Sequence, residues 1–380
     1  MKVVWITSLP MQVQCEALNG EDHGARHAAP WIIAHLPPPP GIDLHLACLW
    51  PGGFRQKEFV YQGATFHLIP CPRHGRLATL YLFDTHFYKS LFCTLNPDIV
   101  HGWGTEESNG MVAVRVAPRR HIVGIHGVMN VINARGSPTL RDHLSATLER
   151  LTLAFARHVV AESVSAAEAA GRLCRRTKPL VVPHPVRAEI LAADPGDRLR
   201  KTAVFLGRIA VQKGIRDAVE SFARAAPQDW NLKIIGGGSV KERDALKASL
   251  EACRLTGRAV HVENLSGGEV TSVLQEASML ILPTLADSGP TALKEALCMG
   301  VWPVCYDNTG PGELIRAFKY GMLARDRDIQ HLAECLRQSF ADEPWGDTLR
   351  RTACITQART LFSPQRAWQC LTALYQEVLK

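Results

Sequence analysis

Arg208 and Lys213 sit five residues apart, the first directly after the strand-like run Ala203 to Leu206 and its Gly207, the second just before Gly214. Two fixed positive charges on one short loop suit a diphosphate, and they offset the negative charge that grows on it as it leaves. They can do the work that a metal ion does elsewhere, although a surface Arg and Lys at a helix start would look the same. Gly236, Gly237 and Gly238 follow the next strand-like run and let the backbone approach a phosphate or base closely, while a tight strand-to-helix turn would use them equally. Glu295 stands in the apolar helical stretch Thr291 to Met299, and a carboxylate there can accept two hydroxyl hydrogen bonds from a cis-diol such as a ribose. Asp287, eight residues earlier, falls at the mouth of that helix, as a cap or as a contact to a sugar. In the first half of the chain His126 follows the run His121 to Ile125 and precedes Gly127; a strand end is a functional position, a satisfied core histidine the alternative.

Such residues need a scaffold that collects strand ends. Val3 to Thr7 is a short β-branched run that opens into Ser8, Leu9 and Pro10. Further candidate strands are Asp43 to Leu49, Thr65 to Ile69, Ile99 to Gly102, His121 to Ile125, His158 to Ala161 and Pro179 to Val182, with a helix expected over His143 to Arg157. Strands alternating with helices imply a parallel, doubly wound α/β sheet. The tetraproline Pro37 to Pro40 must stop the segment Trp31 to Leu36. Periodicity weakens between Val186 and Arg200, which predicts a linker. The pattern then restarts with Ala203 to Leu206, Leu232 to Ile235, Ala259 to Val262, Met279 to Leu282 and Trp302 to Tyr306, a second Rossmann-like unit. Ser363 and Pro364 open a last helix with Ala367, Trp368, Leu371, Leu374, Tyr375 and Val378 on one face.

Composition agrees with two such domains. At 380 residues, 46% hydrophobic and 21% charged, the chain can bury two sizeable cores, and its net charge of +7 is too evenly spread for a nucleic-acid surface. The basic stretches around Arg172, Arg175, Arg176 and Lys178, and around Arg115, Arg119 and Arg120, read as solvated faces before anionic lipid sites. Eleven cysteines without a Cys-x-x-Cys pair read as small buried hydrophobes in a reducing cytosol, Cys48 and Cys305 among them. No stretch approaches the ~20 apolar residues that span a bilayer.

The order of these features resembles the retaining glycosyltransferases of family 4, which have the GT-B fold. The matching stretches are Phe205-Leu-Gly-Arg208 with Lys213-Gly214, Ile234-Ile-Gly-Gly-Gly238, Leu282-Pro-Thr284, Asp287 to Glu295 followed by Ala296-Leu-Cys-Met-Gly300, and Trp302-Pro-Val304. Asn96-Pro-Asp-Ile-Val-His101 and Gly124-Ile-His126-Gly127 extend the likeness into the first half. The resemblance implies two Rossmann-like domains facing across a cleft, residues 1–190 with 363–380 on the acceptor side and 198–362 holding the donor, the last helix returning to the first domain. It implies that Arg208 and Lys213 bind the donor diphosphate with Gly207, Gly236, Gly238 and Thr291 around it, that Glu295 binds the ribose, and that Asp287 and His126 meet the transferred sugar.

The expected activity is hexosyl transfer from a nucleotide sugar, UDP-linked before GDP-linked, to a glycan or lipid-linked acceptor in cell-surface polysaccharide or glycoconjugate biosynthesis. Transfer is expected to retain configuration and to need no metal or other cofactor, in the cytoplasm or at the inner face of the membrane with peripheral contact, and without nucleic acid. A nucleotide-sugar epimerase of the same fold and a non-catalytic partner subunit are the alternatives. The chain departs from the pattern in having Asp287 for the usual glutamate, Pro290 without an N–H, Gly20 and Gly24 in place of adjacent glycines, and Pro183-His184-Pro185 for an Asn-Gly turn. Asp326-Arg327-Asp328 reads as a chance Asp-x-Asp triplet. Trp103, Glu106 and Glu107 read as acceptor contacts or as a rim tryptophan with solvated glutamates.

Overall fold

A computed structural model describes residues 1–19, 30–136, 138–196 and 200–380; Gly20, Gly24 and part of the expected linker lie outside the described residues. The chain forms two compact units, Met1–Pro185 with Pro364–Lys380, and Val186–Ser363.

The first unit is built on β1 (Lys2–Ile6), β2 (Asp43–Pro51), β3 (Lys57–Tyr61), β4 (Ala64–Cys71), β5 (Ile99–Trp103), β6 (His121–Ile125), β7 (Val159–Ala161) and β8 (Leu180–Val181). Across the sheet they run β3-β4-β2-β1-β5-β6-β7-β8. All pairs are parallel except β3 with β4. The sequence reading lacks β3, because Lys57–Tyr61 has no apolar run. Its turn dictates it instead: Gln62 and Gly63 both adopt positive φ (45° and 76°), the conformation of a two-residue hairpin loop whose twist matches that of the strands.

Strands β1, β5 and β6 are buried almost end to end, as parallel strands covered on both faces must be. The last helix, Pro364–Val378, completes this core. Its expected face, Ala367, Trp368, Leu371, Leu374 and Tyr375, is buried. Two buried hydrogen bonds fix it, from Trp5 Nε1 to Tyr375 Oη (2.9 Å) and from Trp368 Nε1 to the His35 carbonyl (2.7 Å). The helix expected from His143 begins earlier, at Leu140, since Thr139 and Asp142 form a capping box; it ends at Phe155. The helix before the prolines is short, Pro30–Ala34.

The second unit contains β9 (Thr202–Leu206), β10 (Asn231–Ile235), β11 (Ala259–Val262), β12 (Met279–Leu282), β13 (Trp302–Tyr306) and β14 (Met322–Ala324), in the order β11-β10-β9-β12-β13-β14. All pairs are parallel. Three-residue β14 was too short to show a period. The stretch read as a linker is not loose chain: it carries the helix Ala188–Ala192 with Ile190 buried. Strand order reverses between β1 and β5 in one unit and between β9 and β12 in the other, and in open α/β sheets ligands bind beyond the strand ends at such a reversal.

Candidate functional site

At the reversal in the second unit, three loops are tied together through their backbones. Gly207 N–H donates to the Ile235 carbonyl and Ile209 N–H to that of Gly237, both at 2.9 Å. The Gln212 carbonyl accepts the Leu285 N–H (2.9 Å) and the Thr284 hydroxyl (3.1 Å) from the loop after β12. Two glycines permit this. A Cβ on Gly214, at φ 71°, would stand 1.9 Å from the Pro283 carbonyl oxygen, and one on Gly236, at φ 147°, 1.9 Å from that of Gly207. Gly237 has open space around its Cα, so close packing explains only part of the glycine triplet.

On this tied backbone sit the charges. Arg208 is exposed. Lys213 Nζ forms an ion pair with the Asp287 carboxylate, and the Asp287 carbonyl is held by Gly310 N–H and the Thr309 hydroxyl, both 2.9 Å. Pro290 occupies the N-cap of the helix Thr291–Met299, so Thr291 stands in the first turn, at the positive end of the helix dipole. Glu295, one turn further in, is 1% exposed. Burial raises its pKa, and Arg187, whose Nε donates to Oε1 at 2.7 Å, opposes the rise. Arg187 escaped the sequence reading because nothing marks a lone arginine in Val186 to Arg200 as the partner of a carboxylate 108 residues away.

A groove of ≈ 840 Å³ runs beside these loops, lined by Ile209, Val211, Leu246 and Leu285 among others. Its charged lining is Arg216 against Asp217, Glu220 and Glu242, a balance that repels a diphosphate; the candidate phosphate position is the loop crest with Arg208 and Lys213. The Asp-x-Asp triplet is spent on structure. Asp328 accepts the His331 N–H (2.9 Å) as a helix cap, and Asp326 accepts from Asn308 Nδ2 (2.7 Å).

In the first unit the strand ends carry rings. His126 is half-buried, and its Nδ1 lies 3.1 Å from Nε2 of buried His184. That His184 nitrogen is 3.9 Å from Glu162 Oε2, and Trp31 stacks on the ring at 4.3 Å. One ring nitrogen of His126 is thus committed, which orients the ring. Trp103 is not a rim residue: it is 2% exposed, stacks on His101 at 3.9 Å, and fills the space a Cβ on Gly124 would take, 2.3 Å away. Burial pushes the His35 pKa down to about 4 and that of His101 well below its ordinary value, so both rings are neutral. Glu106 is exposed and Glu107 half-buried.

Glu149 is a second residue that sequence reasoning missed, because mid-helix it looks like a solvated charge. It is buried. Thr105 Oγ1 donates to its Oε2 at 2.6 Å and Met129 N–H to its Oε1 at 2.8 Å, so one carboxyl joins the loop after β5 to the loop after β6, three residues beyond His126. Burial raises its pKa to about 7 against the pull of those two hydrogen bonds.

Residues 189–360 match the family of group 1 glycosyl transferases. Over 150 residues the chain is 34% identical to the exopolysaccharide phosphotransferase SCO2592 of Streptomyces coelicolor, which is 38% of this chain but 15% of that relative. The other curated relatives are covered to 46% of their length or less. Among solved structures, the sucrose-phosphate synthase of Thermosynechococcus elongatus superposes with a TM-score of 0.78 at 15% identity, covering 100% of this chain and 99% of that one. HepE of Anabaena, in complex with UDP and glucose, does so at 0.74 and 14%, covering 99% and 100%. The match to group 1 glycosyl transferases thus covers the second unit, and the GT-B fold extends over the length of the chain.

Proposed function

We propose that the protein transfers a hexosyl group from a nucleotide sugar to a glycan or lipid-linked saccharide in polysaccharide or glycoconjugate biosynthesis, with retention of anomeric configuration and without a metal ion. One observation supports this reading: Arg208 and Lys213 follow β9 and the helix Thr291–Met299 follows its neighbour β12, where the strand order reverses, with Glu295 one turn inside that helix. Arg208 and Lys213 neutralise the departing diphosphate, which is the task a metal would otherwise have. Gly207, Gly236 and Gly238 give it backbone access, Glu295 takes the ribose, and Asp287 and His126 contact the sugar. UDP is the favoured nucleotide, in keeping with the ligand of HepE. Eleven free cysteines favour a reducing compartment, the cytoplasm.

Thermal shift with UDP, GDP, ADP and dTDP tests the site, since a ligand that binds only the folded state raises its melting temperature. UDP should raise it most, and Glu295→Ala should remove the shift. With a UDP sugar, EDTA should leave the rate unchanged and NMR should show the donor's anomeric configuration in the product. A response to no nucleotide would end the donor-site assignment; inversion, or loss of activity on chelation restored by magnesium, would overturn the mechanism.

A further inference from the structure

The helix Leu140–Phe155 turns an apolar stripe to solvent. Leu140 (78% exposed), Leu144 (45%), Leu151 (46%) and Phe155 (55%) recur at the spacing that aligns side chains on one helical face. The opposite face, with Ser145, Glu149, Thr152 and Leu153, is the one that packs inward. A second exposed group, Leu80, Leu82 and Phe83, flanks Tyr81. Tyr81 between them packs with Leu148 and lies close enough to Arg141 to feel its charge. Exposed apolar side chains gathered on one helical face in this way mark an interaction site.

Its rim is basic. At about 100° per residue, Arg141 falls on one flank of the stripe and Arg150 on the other, and both are exposed. Arg176 lies 5.9 Å from the Phe155 ring, and its segment adds exposed Arg172, Arg175 and Lys178. Of the carboxylates nearby, Asp84 is paired with Arg76 and Glu149 is buried in its own contacts, while Asp142 caps the helix, exposed Glu106 lies close enough to Glu149 to raise its pKa, and exposed Glu168 precedes Arg172 by one turn; the basic side chains of the rim outnumber the last three. Glu107 faces Tyr81 at the edge.

We propose that this face docks on an anionic phospholipid surface, Leu144, Leu151 and Phe155 entering the boundary between headgroups and acyl chains while the arginines meet phosphates. Apolar and electrostatic attraction together give such adsorption its strength. A second copy of the chain fits worse, because a two-fold contact here would set arginines against arginines. The face lies on the bilayer and does not cross it; among the described residues no helix is long and apolar enough to span a membrane. Docking is independent of the proposed transfer reaction.

Co-sedimentation of the full chain with vesicles of phosphatidylcholine, alone or mixed with phosphatidylglycerol, tests it. The chain should bind the mixed vesicles at low salt, weaken with added salt, and leave phosphatidylcholine alone. Arg141→Glu with Arg150→Glu should cost about 25-fold in affinity or more, at roughly fivefold per basic residue. The triple variant Leu144→Ser, Leu151→Ser, Phe155→Ser keeps every charge and should still lose binding, while melting like its parent because the positions are exposed. Phe155→Trp gives an independent readout, a blue shift in fluorescence on mixing with anionic vesicles. The proposal falls if the parent ignores anionic vesicles, if the apolar triple variant binds as well as the parent, or if the tryptophan stays in water. It also falls if light scattering finds a dimer that these substitutions dissociate, since the face then belongs to a second copy.

Discussion

The two units present their strand ends in different ways. In the second, exposed or half-exposed charges stand on loops whose backbones are hydrogen-bonded to one another, with glycines where carbonyls come close. In the first, the strand ends are filled by Trp103, His101, His126 and His184 in mutual contact, and one buried carboxyl, Glu149, joins two loops. A site specified by backbone demands particular residues at fixed offsets from strands. A site specified by side-chain contacts can be met by many residue types, provided each has its partner.

The largest effect should come from breaking the ion pair that half-buried Arg187 makes with buried Glu295 in the second unit's site. Arg187→Ala leaves Glu295 buried without its cation, and removing one partner of a buried pair typically costs about 3 to 5 kcal/mol. Denaturant unfolding of the parent and variant measures it. Arg187→Ala combined with Glu295→Gln should recover much of that loss, because no charge remains uncompensated. If the double variant is no more stable than the single one, the pair is not what holds this helix.

Lys213→Ala sharpens the contrast from the functional side. Losing one charged contact to the leaving group should cost about 2 to 4 kcal/mol of transition-state stabilisation, or roughly 30- to 1000-fold in turnover. The melting temperature should change little, as the backbone hydrogen bonds between the loops remain when the partly exposed ion pair of Lys213 with Asp287 is lost. Full turnover in the variant would take the diphosphate away from this loop.

For the first unit, Glu149→Gln tests the buried joint through its pH dependence. The folded-state pKa, about 7, lies above the ordinary 4.5. Between those values the folded protein keeps a proton that the unfolded chain has released, so stability is greatest below about pH 4.5, falls as pH rises through the window and levels off above it. The loss amounts to about 3 kcal/mol for this one group, taking 1.36 kcal/mol per pKa unit. Glutamine can accept from Met129 N–H and donate to Thr105 Oγ1, so the variant should keep the joint and lose that slope. An unchanged slope from pH 4.5 to 7 in unfolding experiments would show that Glu149 does not titrate there.

The same contrast explains what the sequence disclosed. Gly214, Gly236 and the strand-end arginine were legible because each answers to local geometry: a positive φ, a carbonyl within contact, a position after an apolar run. The helix Pro364–Val378 was legible from its periodicity. Arg187 and Glu149 were not, because their meaning lies in partners far along the chain, and a charged residue in a polar stretch carries no mark of future burial. The burial of Trp103, left open between an acceptor contact and a rim position, was hidden for a related reason: the empty face of Gly124, which makes room for its ring, is apparent only once β5 and β6 are paired.

The smallest effect should separate His126 from the histidine that holds it. His126→Ala removes the proposed sugar contact and should lower turnover well below that of any variant of its neighbour, while nucleotide binding stays intact, since the loops around Arg208, Lys213 and Glu295 are untouched. His184→Ala removes only the partner of Nδ1, at 3.1 Å, and leaves the His126 ring free to rotate. A hydrogen bond of this kind is worth about 1 kcal/mol net, so turnover should fall roughly fivefold. A merely structural role for His184 would instead appear as a lower melting temperature with normal turnover per folded molecule, because its ring also stacks on Trp31. His184→Asn discriminates further. Asparagine can offer His126 either a donor or an acceptor, so it should restore part of the rate even though it cannot replace the ring in the stack. Equal rates for alanine and asparagine, with stability restored in neither, would assign His184 to packing and leave His126 oriented by Trp103 and Trp31 alone.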